Sequence, residues 1–142
     1  MSEAIVTDGD ILQFEPNFGN RQVDIPGPIK IKGTGHAKIN GRKVCVLGDE
    51  SSVRVTAKYT TPIYTIPGTG TITISALDAS QQAPNCTSNG PLILKGKKFT
   101  AKFEPSESAK TNNSNIQPPT DILTPSSSTG SFNTQQNFAT VN

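Results

Sequence analysis

A chain of 142 residues holds one domain with an appendage, and 32% hydrophobic content without a tryptophan allows only a small core. Eleven prolines and twelve glycines, scattered without a period, argue for many turns and against long helices. A formal net charge of +2 is too weak a bias to predict an electrostatic partner, and nucleic-acid binding usually needs a basic face, so no nucleic-acid partner is expected.

The N-terminus reads MSEAIVTDGDILQFEP, with neither a basic n-region nor an apolar h-region. No apolar run approaches the ~20 residues of a membrane-spanning helix. Synthesis in the cytoplasm without a signal peptide is therefore expected, with any release following another route.

Residues 1–105 alternate short β-branched runs with turn signals. The expected strands are Ala4–Val6, Ile11–Phe14, Pro28–Lys32, His36–Ile39, Lys43–Leu47, Ser52–Lys58, Ile63–Ile66, Gly70–Ser75, Leu92–Leu94 and Phe99–Phe103. Val53, Val55 and Ala57 share one face of a strand, and Ile72 and Ile74 share a face of another. Only Ile74–Gln82 offers a helical turn, and Pro84 stops it. The expected fold is thus all-β, a compact cone-like domain of short strands and β-hairpins.

Two stretches echo each other. Ala37–Val46 and Leu92–Ala101 both read as strand, residue-Gly turn, two basic residues and strand. Asn40-Gly41 in the first is the strongest short hairpin signal, because a type I′ turn needs positive φ at both central residues. Both stretches are expected to be hairpins. Their basic pairs, Arg42-Lys43 and Lys97-Lys98, read as solvated turn residues that also discourage edge pairing.

Beyond residue 105 the composition shifts to Asn, Ser, Thr, Gln and Pro. Residues 106–142 are expected to be a low-complexity, flexible polar tail, too poor in apolar side chains to offset its ordering entropy.

The sequence carries little catalytic signal. Its Gly-rich pieces do not match a phosphate loop, and its carboxylates are scattered. A thiol enzyme built on His36 and Cys45 is one alternative, but the expected reading is not an enzyme. With a two-residue loop at Asn40-Gly41, Ile39 opposes Arg42 and His36 opposes Cys45. Opposed side chains about 4.5–5.5 Å apart at Cβ can reach one zinc or iron ion. Cys86, ahead of the second echo, is a third candidate ligand. A different loop length pairs Cys45 with Lys38 instead. Free buried thiols or a Cys45–Cys86 disulfide are the other readings of two cysteines.

The segment Gly35–Asp49, with its Asn-Gly hairpin and following Gly48-Asp49 pair, resembles the PAAR-repeat family. Val44-Cys45-Val46-Leu47 stands where that family has its Pro-Ala-Ala-Arg signature. The resemblance implies a β-cone that caps and sharpens the trimeric central spike of a contractile injection machine. That machine is a type VI secretion system, a phage tail or an extracellular phage-tail-like particle. It implies a VgrG-like β-helical spike as partner, one tip per trimer, transient contact with a target membrane, and effector cargo. It also implies a metal near the apex, for which His36, Cys45 and Cys86 are the matching positions. A baseplate, fibre or decoration protein is the alternative structural role.

Overall fold

The computed structural model describes residues 3–39, 41–87, 91–133 and 140–141. Its strands in chain order are β1 (Glu3–Ala4), β2 (Ile11–Phe14), β3 (Asn17–Phe18), β4 (Arg21–Asp24), β5 (Ile29–Lys30), β6 (Lys38–Ile39), β7 (Arg42–Lys43), β8 (Arg54–Thr60), β9 (Gly68–Ala76), β10 (Gln82–Thr87), β11 (Pro91–Ile93), β12 (Phe99–Glu107), β13 (Ser126–Asn133) and β14 (Thr140–Val141). Among the described residues, the helical structure is two 3-10 turns, Asp49–Ser52 and Ala79–Gln81. The fold is all-β, as the sequence predicts.

Eight strands form one antiparallel sheet in the order β3-β4-β8-β9-β12-β13-β2-β5. The sheet curls, because Gly19 in the β3–β4 turn lies against Ser126 of β13. Its inner face follows from alternation. Val55, Ala57 and Tyr59 of β8 and Phe99, Ala101 and Phe103 of β12 point inward, with polar residues between them. The rings interlock: Phe103 sits 5.1 Å from Tyr59 and 5.9 Å from Phe18, and Phe99 lies 5.1 Å from Phe132. Gly130 permits this, since a Cβ there would come within 2.6 Å of the Phe99 ring.

Three expectations are corrected. Among the described residues, the polar segment 106–133 is not a tail, and no boundary falls at residue 105. β12 runs through that point, and β13 lies between β12 and β2 with Phe132 buried. A strand hydrogen-bonded on both sides satisfies its backbone whatever its side chains, so Gly130 and Phe132 suffice on the inward face. Ile63–Ile66 is a turn rather than a strand. The Thr61 hydroxyl accepts the N–H groups of Ile63 and Tyr64, at 3.3 and 2.8 Å. The second expected hairpin does not form either. Leu92 and Ile93 pair with β10, whereas Phe99–Phe103 pairs with β9 and β13.

The remaining strands make three two-stranded ribbons: β14–β1, β6–β7 and β10–β11. Each delivers its second strand to the same place, at one end of the curled sheet.

Candidate functional site

Three short segments meet at that end: Ala4–Asp10, Lys43–Asp49 and Pro91–Lys97. Each enters from a ribbon, runs extended for three residues, and turns at a glycine with positive φ: Gly9 (86°), Gly48 (107°) and Gly96 (49°). Only glycine adopts that conformation freely, which fixes the turn at the same point of each segment.

The three segments close a ring. Val6 N–H donates to the Ile93 carbonyl, Ile93 N–H to Cys45, and Cys45 N–H to Val6, each at 2.9 Å. One turn further on the cycle repeats. Asp8 N–H donates to Lys43, Leu47 N–H to Pro91 and Lys95 N–H to Ala4, at 2.7, 2.8 and 2.8 Å. The bridges follow the same rotation: Thr7 with Val44, Val46 with Leu92, and Leu94 with Ile5. One chain thus carries an internal three-fold axis at the level of individual hydrogen bonds.

The side chains obey the same symmetry. Val6, Cys45 and Ile93 occupy one equivalent position and belong to the main core with the sheet. Ile5, Val44 and Leu92, together with Val46 and Leu94, form a second apolar cluster with Ala83 of β10 and Ile39 of β6. The ribbons therefore bracket the second cluster, and the sheet the first. In two of the three turns a carboxylate supports the bend. Asp10 accepts from Thr7 N–H and Asp49 accepts from Val46 N–H, both at 2.8 Å. In the third turn the equivalent Leu94 N–H donates to the Gln81 carbonyl at 2.9 Å. Asp49 also accepts from the backbone and hydroxyl of Thr34, tying the connection between β5 and β6 to the ring.

One position breaks the pattern. Thr7 stands where the other segments have Val46 and Leu94, and its buried hydroxyl has no hydrogen-bond partner among the described residues. An orphaned buried hydroxyl costs about 1–3 kcal/mol. Thr7→Val, which keeps the shape and removes the orphan, is expected to stabilise the protein by about 1 kcal/mol, read as a raised urea midpoint.

The sequence-predicted site residues separate. The hairpin register has Ile39 opposite Arg42, as expected for a two-residue loop. Beyond Val44 the pairing departs from that register, because Gly35 N–H donates to the Val44 carbonyl while Val44 N–H donates to Ala37. His36 is exposed on the resulting bulge, whereas Cys45 is a free, wholly buried thiol. Burial first, then the carboxylates of Asp49, Asp10 and Asp8, push the Cys45 thiol far above its ordinary range, so it keeps its proton. That environment is the reverse of an activated nucleophile or a thiolate ligand, so His36 and Cys45 do not fit a thiol-enzyme pair. Among the described residues, no group of three or more His, Cys, Asp or Glu side chains is arranged to hold a metal ion. Cys86 lies on β10, and its side chain is outside the described set. A zinc or iron ion at His36, Cys45 and Cys86 rests on the family resemblance alone, and elemental analysis of untagged protein tests it. At Cys45 itself the three-fold pattern gives a simpler role, since valine and isoleucine fill the equivalent positions.

These elements define an all-β protein organised around a closed three-fold ring. More particularly, the chain belongs to the contractile injection system spike tip proteins, whose family model matches residues 1–142. No curated protein matches it. Membership makes it a component of a contractile injection machine, associated with that machine's central spike. Among the described residues no helix is long and apolar enough to cross a membrane.

Proposed function

We propose that this chain caps the trimeric spike as a single copy and docks through its ribbon end. The cyclic hydrogen-bond ring carries this reading. A trimeric partner presents three equivalent surfaces around one axis, and a single chain can meet them equally only by repeating itself about that axis. The ring does so, and the three ribbons extend the repetition to the second cluster. The curled eight-stranded sheet has no such symmetry, so it faces away from the spike and forms the leading body that meets the target envelope. The role is mechanical: two clusters and two hydrogen-bond cycles make a stiff base for the leading body, with no chemistry required.

Native mass spectrometry of the chain mixed with its spike protein tests the stoichiometry. One tip per three spike chains is expected; a three-to-three complex, or none, removes the proposal. Orientation has its own test. A four-residue insertion at the Asn40-Gly41 turn of the β6–β7 ribbon should weaken spike binding at least tenfold. The same insertion at Asn113-Ser114, at the far end of the sheet, should leave binding intact.

A further inference from the structure

The ring makes Val6, Cys45 and Ile93 equivalent. Two residues back along each segment stand Ala4, Lys43 and Pro91, in β1, β7 and β11. Their carbonyls accept the second cycle of hydrogen bonds, from the N–H groups of Lys95, Asp8 and Leu47. Each of the three also pairs across its own ribbon: Ala4 with Thr140, Lys43 with Lys38 and Pro91 with Thr87. The next pair outward is Glu3 with Val141 in one ribbon and Arg42 with Ile39 in another. The three-fold repeat therefore reaches the outer strands, and β14, β6 and β10 hold one equivalent place around the axis.

Those outer strands arrive by different routes. β6 leads into β7 through residues 40–41, and β10 leads into β11 through residues 88–90. Each of these ribbons is closed by its own short connection. β14 has no turn into β1. It follows β13, whose last residue, Asn133, pairs with Ile11 in the main sheet, and it is joined to β1 by two residue pairs. An isolated two-stranded ribbon is marginal in water even with a turn. Of the three ribbons, β1–β14 is thus the one whose closure depends on pairing alone.

Charge does not follow the repeat. The equivalent residues are Ala4, Lys43 and Pro91 on one strand and Thr140, Lys38 and Thr87 on the other. What the three ribbons share is a backbone position set by the ring. A partner of three identical chains offers the same groups at each contact, so the feature it can use three times is that shared backbone frame.

We propose that Thr140–Val141 completes the spike-binding surface as its third leg, and that spike docking and β1–β14 pairing stabilise each other. This rests on docking through the ribbon end, as proposed above. A partner that binds the paired ribbon and not the open one shifts the equilibrium toward pairing. The β6–β7 ribbon, closed by its turn, has less to gain.

The test uses the full chain and its spike protein. Removal of residues 140–142 should weaken spike binding at least tenfold. Hydrogen exchange at the amides of residues 3–4 and 140–141 should slow at least tenfold in the complex, and more than at residues 38–39 and 42–43. Glu3→Cys with Val141→Cys, oxidised to a disulfide, should bind at least as tightly as the unaltered chain. Paired antiparallel residues have Cα atoms about 4.5–5.5 Å apart, which a disulfide spans. Lys38→Gln with Lys43→Gln should change binding less than threefold. Full-strength binding by the truncated chain overturns the proposal, and so does lost binding by the cross-linked one. A large loss in the lysine variant overturns it too, because charge on one ribbon would then carry the docking. If truncation unfolds the protein, the exchange rates decide, and unchanged exchange on docking overturns the proposal. The insertion at Asn40-Gly41 separates the two readings. If it weakens binding and truncation does not, the docking orientation stands and the third leg falls; if neither weakens binding, both fall.

Discussion

Arg21→Met is expected to destabilise the protein by about 3–5 kcal/mol, the usual cost of removing one partner of a buried ion pair. In a chain of this size that corresponds to a fall of roughly 10–15 °C in melting temperature. The reason is what the methionine leaves behind. Asp121 is buried, and its carboxylate accepts from Arg21 Nε and from the Tyr59 hydroxyl, each at 2.9 Å. Without Arg21 a buried negative charge faces a phenol alone, and the Ile122 and Thr124 carbonyls lose their donor. Tyr59 is tied in as well, because it accepts from Ala109 N–H at 2.9 Å and its ring lies under the guanidinium. Arg21→Lys should recover little, since a single ammonium cannot span the acceptors that the planar fork reaches. Arg21→Met combined with Asp121→Asn should recover part of the loss, because no buried charge then remains. Urea unfolding of the three variants measures this. A single-variant cost below about 1 kcal/mol would mean that the network is incidental to the fold.

That network also explains what the sequence concealed. Arg21 and Asp121 are one hundred residues apart, and nothing local marks either as buried. The segment around Asp121 therefore reads as solvated, and β13 with it. By contrast, the middles of β8 and β9 are legible from alternation alone, because inward residues recur there at every second position. The Asn40-Gly41 hairpin is legible because its turn chemistry is local. The ring lies between these cases. Its repeat is present in the sequence as Val6-Thr7-Asp8-Gly9-Asp10, Cys45-Val46-Leu47-Gly48-Asp49 and Ile93-Leu94-Lys95-Gly96-Lys97. Comparing Asn40-Gly41 with Lys95-Gly96 misaligns it, because the glycine equivalent to Gly96 is Gly48. What identifies the correct alignment is the cycle of hydrogen bonds, each joining segments distant in the chain. The same cycle turns Cys45 from a candidate ligand into a core residue.

Burial of that thiol sets the expected response to alkali. The native state keeps Cys45 protonated because desolvation, and after it the nearby Asp49, Asp10 and Asp8, oppose a thiolate. In the unfolded chain the same thiol ionises at about pH 8.5. Below that pH both states hold the proton and the native state has its full stability. Above it the unfolded state binds one proton fewer than the native state, so stability falls with a slope of about 1.4 kcal/mol per pH unit. Tyr59, whose phenol is also raised, by burial first, adds to the decline once unfolded tyrosine begins to ionise near about pH 10. Unfolding free energy from urea titrations should therefore be level from pH 7 to 8 and fall steadily above pH 9. Cys45→Val places at this position the residue found at the equivalent Val6. It is expected to change stability little at pH 7 and to remove the decline between pH 9 and 10, leaving the tyrosine contribution above it. Equal slopes in the two proteins would mean that Cys45 ionises in the native state, and would restore it as a candidate for thiolate chemistry.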